Sequence, residues 1–361
     1  SEEIHMEKAT AITASEICVH GKNRFAAWRG SLAAVAFFLL GLAATVDTSL
    51  AQGKAAFLLP GSINDQSWNA QGYQGVEKLK AMGWEVAYTE NVQAADMVEG
   101  LRDYARRHYD FVVGHTGRFL SAAERVGPDF PNTHFKVGAG SAGAGKKVAS
   151  IDFDNTQFGY LIGVLAARMS KTGKIGSVNS LEGLPNVVAQ VGAFRKGAKS
   201  VRPDIEVRVV YIQSMEDAAA AKEAALSLIA GGADFISGKL NAAQAGIIQA
   251  AKEKGIYVNG RSTGHTAIAP ENVLTNIVEQ WADMYAAAAQ DSKSGTLGGK
   301  YLLYGLNSQG STGAQLRYSQ DREFNSVVPP QVIAELETLK KKFAAGGLKV
   351  AVTREDARGG I

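Results

Sequence analysis

Three glycines, Gly138, Gly140 and Gly143, follow the apolar run HFKVG in the spacing G-x-G-x-x-G, and the overlapping stretch GSAGAGKK (140–147) approaches a phosphate-binding loop. Either pattern holds phosphate only if a helix opens within it and turns its N-terminal amides on the ligand. None opens here: KKVASIDF resumes as a strand, and Lys147 stands where a Mg²⁺-binding Ser or Thr is needed. The stretch therefore reads as a flexible glycine connection. Six histidines and one cysteine form no spaced metal set. His115 and His265, both just past strand ends, have no obvious nucleophile partner. They read as loop or cleft-lining residues. Nothing in these patterns argues for an enzyme or for a cofactor, so recognition without bond chemistry is the expectation.

A better candidate is DQSWN (65–69), between the apolar strand candidate KAAFLLPG and the helical run GYQGVEKLKAMG. An indole in a strand-to-helix loop is costly to leave in water. Trp68 either packs under its own helix or offers a face to a flat heterocycle, which an indole tolerates in many forms. Asp65 is placed to cap the helix that follows.

The elements that must position these residues alternate. Short apolar runs bounded by Gly, Asn or Asp are followed by segments of period near 3.6, the pattern of parallel α/β architecture. AAFLLP, WEVAYTE, DFVVGH and HFKVGAG are expected as strands, with helices at about 69–82, 94–108 and 117–126. KIGSVNS, IEVRVVYI, ADFISG and IYVNG repeat the order, with helices at about 186–200, 216–230 and 241–254. The repetition predicts two doubly wound parallel-sheet lobes, with a ligand in the cleft beyond the carboxyl ends of the strands. VLTNIV, EQWADMYAAAAQDSKSG and KYLLYGL are too few for a third domain, so this tail is expected to cross back and complete the first two. The loops after the second set nominate Lys239 to Asn241 and Arg261 to His265 for the far wall, with Asn179 to Glu182 as a further possibility.

Length and charge agree with this. A chain of 361 residues can bury two cores, and a net charge of +3 is too small and dispersed to suggest nucleic acid. Cys18 has no partner for an internal disulfide, which leaves the compartment open. Lys22, Arg24 and Arg29 precede the apolar run 31–46, and Ser49-x-Ala51 follows it. Residues 1–51 thus read as a polar extension plus a secretory signal ending at Ala51, the run being shorter than the roughly 20 residues of a membrane span. No cysteine follows for a lipid anchor, and a periplasmic location is expected.

DQSWNAQGYQG, IDFDNTQFGYLIGVLAARMSKTGKIGSVNS, GAFRKGAKSVRPDIEVRV, GIIQAAKEKGIYVNG and FAAGGLKV, in this order and spacing, resemble the basic membrane protein family, which includes purine nucleoside receptors. The resemblance runs from about Lys54 to Val352. It implies a type I periplasmic binding protein with three interdomain crossovers, the first lobe formed by 52–154 and 276–307 and the second by 155–275 and 308–361. It further implies a monomer that closes on a purine base or nucleoside and hands it to an ABC transporter permease. Trp68 would then be the platform, with Asp65, Ser67 and Asn69 around it and His115, Lys239, Asn241, Ser262, His265 and Glu279 completing the ligand site. Two positions depart from the nucleoside-binding pattern: Ser262 aligns with an acidic residue and Glu279 with a lysine, the pair that holds ribose. A free nucleobase is therefore expected to bind at least as well as its nucleoside. Alternatives are a non-purine heterocycle, another small solute, or the sensing domain of a regulator, although a secretion signal stands where the helix-turn-helix of a regulator would be.

Overall fold

The computed structural model describes residues 52–64, 68–295 and 298–361; the expected signal segment 1–51 and two of the expected ligand residues, Asp65 and Ser67, lie outside the described residues. In chain order the first half runs β1 (Lys54–Leu58), α1 (Trp68–Ala81), β2 (Glu85–Thr89), α2 (Met97–Arg106), β3 (Phe111–Gly114), α3 (Leu120–Val126), β4 (His134–Gly138) and β5 (Val148–Phe153). The second half repeats it with α4 (Asn155–Met169), β6 (Lys174–Ser180), α5 (Pro185–Val201), β7 (Glu206–Ile212), α6 (Ala218–Ala230), β8 (Phe235–Lys239), α7 (Gln244–Lys254), β9 (Tyr257–Gly260), α8 (Thr263–Ile268) and β10 (Val273–Glu279). The chain closes with α9 (Trp281–Lys293), β11 (Tyr301–Tyr304), β12 (Ala314–Arg317) and α10 (Pro330–Ala344).

Two six-stranded sheets result, ordered β11-β5-β4-β3-β1-β2 and β12-β10-β9-β8-β6-β7. All pairings are parallel except β10 with β12. Strands covered by helices on both faces are apolar on both, which is why β3, FVVG, is buried throughout and reads as a continuous apolar run; β5 is equally buried but carries Ser150 and Asp152. This is the type I periplasmic-binding-protein architecture: two α/β lobes of the same winding.

The chain passes between the sheets three times. The first passage is at Asp154, whose carboxylate caps α4 by accepting from the Thr156 and Gln157 amides at 3.0 and 3.2 Å. The third lies between β11 and β12, tied to the first where Gln157 donates to Asn307 at 3.0 Å and accepts from the Leu306 amide at 2.8 Å. The second is at Gln280, beyond the boundary expected after residue 275, because β10 keeps pairing with β12 through Glu279. Helix α4 has no amphipathic stripe to betray it: it lies between α5 and α10 and is buried nearly all round.

Candidate functional site

The carboxyl ends of both sheets face one cavity of about 1010 Å³. The first lobe lines it with Pro60 to Ser62 after β1, Trp68 and Asn69 at the start of α1, Thr116 to Arg118 after β3 and Asp152 on β5. The second lobe supplies Leu181 and Leu184 to Asn186 after β6, Gln213 to Glu216 after β7, Lys239 and Asn241 after β8, and Arg261 after β9; Glu279 and Trp281 stand at the second passage. The strand-end rule for doubly wound sheets is thus met in both lobes at once.

Trp68 is held from behind. Its ring stacks on His115 with centroids 4.1 Å apart and planes 15° from parallel. Its indole nitrogen donates to the His115 carbonyl at 2.8 Å, and its own carbonyl accepts from His115 Nε2 at 2.8 Å. A carbonyl can only accept, so Nε2 carries the proton and, in the neutral ring, Nδ1 accepts from the Tyr285 hydroxyl at 2.6 Å. Trp281 closes the corner, edge-on to Trp68 at 5.0 Å. Two glycines make room for this column. A Cβ at Gly72 would meet His115 Cδ2 at 2.6 Å, and one at Gly138 would collide with the Tyr285 hydroxyl. The first glycine of the apparent dinucleotide fingerprint therefore admits a tyrosine, not a pyrophosphate.

The back of the cavity is polar and charge-matched. Lys239, almost fully buried, donates to Asn155 Oδ1 at 2.6 Å, lies 4.0 Å from Glu279 Oε1 and sits over the Phe153 ring at 4.8 Å. Burial pulls its pKa down to about 8, with the Arg261 charge adding to the effect against Glu279 and Asp152. Glu279 accepts from Arg261 on Oε1 and from the Trp281 indole at 2.6 Å on Oε2. Burial raises the Glu279 carboxyl, but Arg261 and Lys239 together outweigh it and leave the pKa below the usual value. Asp152 is pushed up to about 7 by burial, Glu279 adding to this and Lys239 opposing it. Its Oδ1 takes the Phe153 amide at 2.8 Å and its Oδ2 has Asn186 Nδ2 at 3.4 Å.

Of the residues expected from the sequence, Trp68, Asn69, Lys239, Asn241 and Glu279 line the cavity. Asn69 Oδ1 accepts from the Gly61 amide at 2.9 Å, and Asn241 is held by Glu216 at 2.7 Å. His115 does not reach the cavity: fully buried, it backs Trp68, so its part is support rather than contact. Ser262 and His265 are likewise not among the lining residues. Ser262 precedes α8 in extended conformation, and His265 Nδ1 accepts from the Arg261 amide at 3.0 Å. Burial, aided by Arg261, holds that imidazole down at about 4, so it is a neutral acceptor. Asp152 and Asn186 were missed; a lone carboxylate inside the apolar strand VASIDF was the available signal for the first. No group of three or more metal-ligating side chains exists among the described residues.

Comparison with known proteins agrees with this geometry. Residues 52–341 match the family described as ABC transporter substrate-binding protein PnrA-like. The chain is 30% identical over 282 residues to a purine-binding protein of Brucella abortus (strain 2308), covering 76% of this chain and 78% of that one. It is 30% identical over 256 residues to the transcriptional activator protein Med of Bacillus subtilis (strain 168), covering 70% and 79%. An ABC transporter solute-binding protein from Conexibacter woesei DSM 14684 superposes with a TM-score of 0.65 at 25% identity, over 83% of this chain and 99% of that one.

Proposed function

Because the chain belongs to the family of PnrA-like ABC transporter substrate-binding proteins, which bind a small solute between two lobes outside the cytoplasm and serve an ABC permease without catalysis, we propose that its solute is a purine. Trp68 carries this reading. It is a half-buried indole at the ligand cavity, fixed through both its ring nitrogen and its carbonyl, with one face already covered by His115. A flat heterocycle on the remaining face completes a stack of the kind worth about 1–3 kcal/mol per base. Asp152, Asn69 and Asn186 then read the polar edge of the ring. The Brucella relative described as purine-binding supports the same assignment.

The free base is the better-matched form. A ribose offers vicinal hydroxyls, which need acceptors and donors not already engaged. Both Glu279 oxygens are taken by Arg261 and Trp281, and Ser262 stands off the cavity. Calorimetry with adenine, guanine, adenosine, guanosine and inosine tests this: the bases bind at least as tightly as their nucleosides. Clearly tighter nucleosides would overturn the base preference and leave transport standing; no purine binding at all would overturn the ligand class. Lobe closure is the mechanism, the ligand favouring the closed state by contacts made only there. The exported form begins at or near Gln52, which N-terminal sequencing of the exported protein checks; recovery of 31–50 in a membrane fraction contradicts it.

A further inference from the structure

The second passage between the lobes is one residue wide. Strand β10 ends at Glu279 in the second sheet, α9 begins at Trp281 and packs on α1 of the first lobe, and only Gln280 lies between them. The Trp281 indole donates back across this residue to Glu279 Oε2 at 2.6 Å. Such a bond fixes the Gln280 torsions, φ −107° and ψ 54°, since rotating either carries the indole off the carboxylate. The other carboxylate oxygen faces second-lobe cations: Arg261 donates to it, and Lys239 lies 4.0 Å away. Arg261 is itself pinned to the Leu240 carbonyl at 2.6 Å, and Lys239 to Asn155 at 2.6 Å. Glu279 thus holds a first-lobe indole on one oxygen and two second-lobe cations on the other. That same indole stands edge-on to Trp68 at 5.0 Å.

We propose that Glu279 is a positioning residue, touching no ligand atom, that clamps the hinge at Gln280 and thereby sets lobe closure and the Trp281–Trp68 corner together. The proposal rests on the cleft being the ligand site but not on the ligand being a purine. It assigns the carboxylate at this position to the hinge, although it lines the cavity.

Two substitutions separate the clamp from a direct contact. Trp281→Phe keeps an aromatic ring while removing the N–H together with part of the indole's volume, and Glu279→Gln removes the charge. Spin labels on Arg125→Cys in α3 and Ser227→Cys in α6 of the form beginning at Gln52, which holds no other cysteine, report the distance between lobes in ligand-free protein. Both substitutions broaden that distance distribution in the same sense, and adenine binding falls about tenfold in each, as for loss of one charge-assisted hydrogen bond. The double variant is no weaker than the weaker single, because the two residues form one bond. An unchanged distribution in both variants overturns the proposal. So does weakened adenine binding in Glu279→Gln alone, which would make the carboxylate a ligand contact. If adenine does not bind the unsubstituted protein, the purine reading falls and the distance distributions alone decide the clamp. Should Glu279→Gln fail to fold, Trp281→Phe decides it.

Discussion

The two lobes share one winding but build opposite walls. On the first lobe the wall is aromatic and continuous with the core: Trp68 lies on His115, His115 on the Tyr285 hydroxyl, and Tyr285 against Phe57 at 5.4 Å. On the second it is a set of side chains that engage one another, with Glu279 set between Arg261 and Lys239 and Asn241 held by Glu216. An aromatic face needs rigid backing but no charge partner, whereas a buried charge needs its partner before any ligand arrives. The same topology therefore yields a platform on one side and a charge-matched polar wall on the other.

The sharpest way to break this contrast is to remove the backing. His115→Ala deletes the stack, strands the Tyr285 hydroxyl and opens a void, and is expected to cost about 3–5 kcal/mol of ligand-free stability in urea unfolding. A loss below about 1 kcal/mol would mean the column does not belong to the core. Trp68→Ala comes next. It should weaken purine binding by about 1–3 kcal/mol by calorimetry while lowering the melting temperature far less than His115→Ala. The reverse ranking would make Trp68 a core residue.

The smallest effect comes from Asp152, the carboxylate that β5 of the first lobe brings to the back of the cavity, and depends on pH. Asp152, raised to about 7 in the folded protein from 3.8, binds more proton folded than unfolded in that window, so its contribution to stability falls as pH rises from about 4 to about 7. His134 and His265, both lowered to about 4 from 6.5 by burial, act in the opposite sense, their contribution rising from about pH 4 to 6.5. The diagnostic is accordingly the difference between two curves. Relative to Asp152→Asn, the unsubstituted protein should lose stability between pH 4 and pH 7 and run parallel above it. Parallel curves throughout would place Asp152 in a solvated setting.

How much of this could be read from the sequence follows from where the information lies. The parallel strands were legible because burial on both faces makes them largely apolar runs, as in AAFL and FVVG. Helix α4 escaped a periodicity reading for the same reason, since burial all round erases the stripe that marks a surface helix. Trp68 was legible as an indole in a strand-to-helix loop. Its support was not: His115 is 47 residues away in the chain, and only Gly72 and Gly138, small where two rings must fit, hinted at it. The polar wall was half legible. Lys239 and Asn241 follow a strand end, but the pairing of Glu279 with Arg261 joins the ends of two strands, β9 and β10, and no local spacing announces it.

The platform itself is the central claim, and a crystal structure of the protein grown with adenine tests it most directly. The account places the purine ring parallel to the Trp68 indole on the face away from His115, with carbon atoms about 3.5–4.0 Å apart, and one edge toward Asp152 and Asn186. Adenine bound elsewhere in the cleft, or a cleft that takes only a non-planar solute, would contradict it.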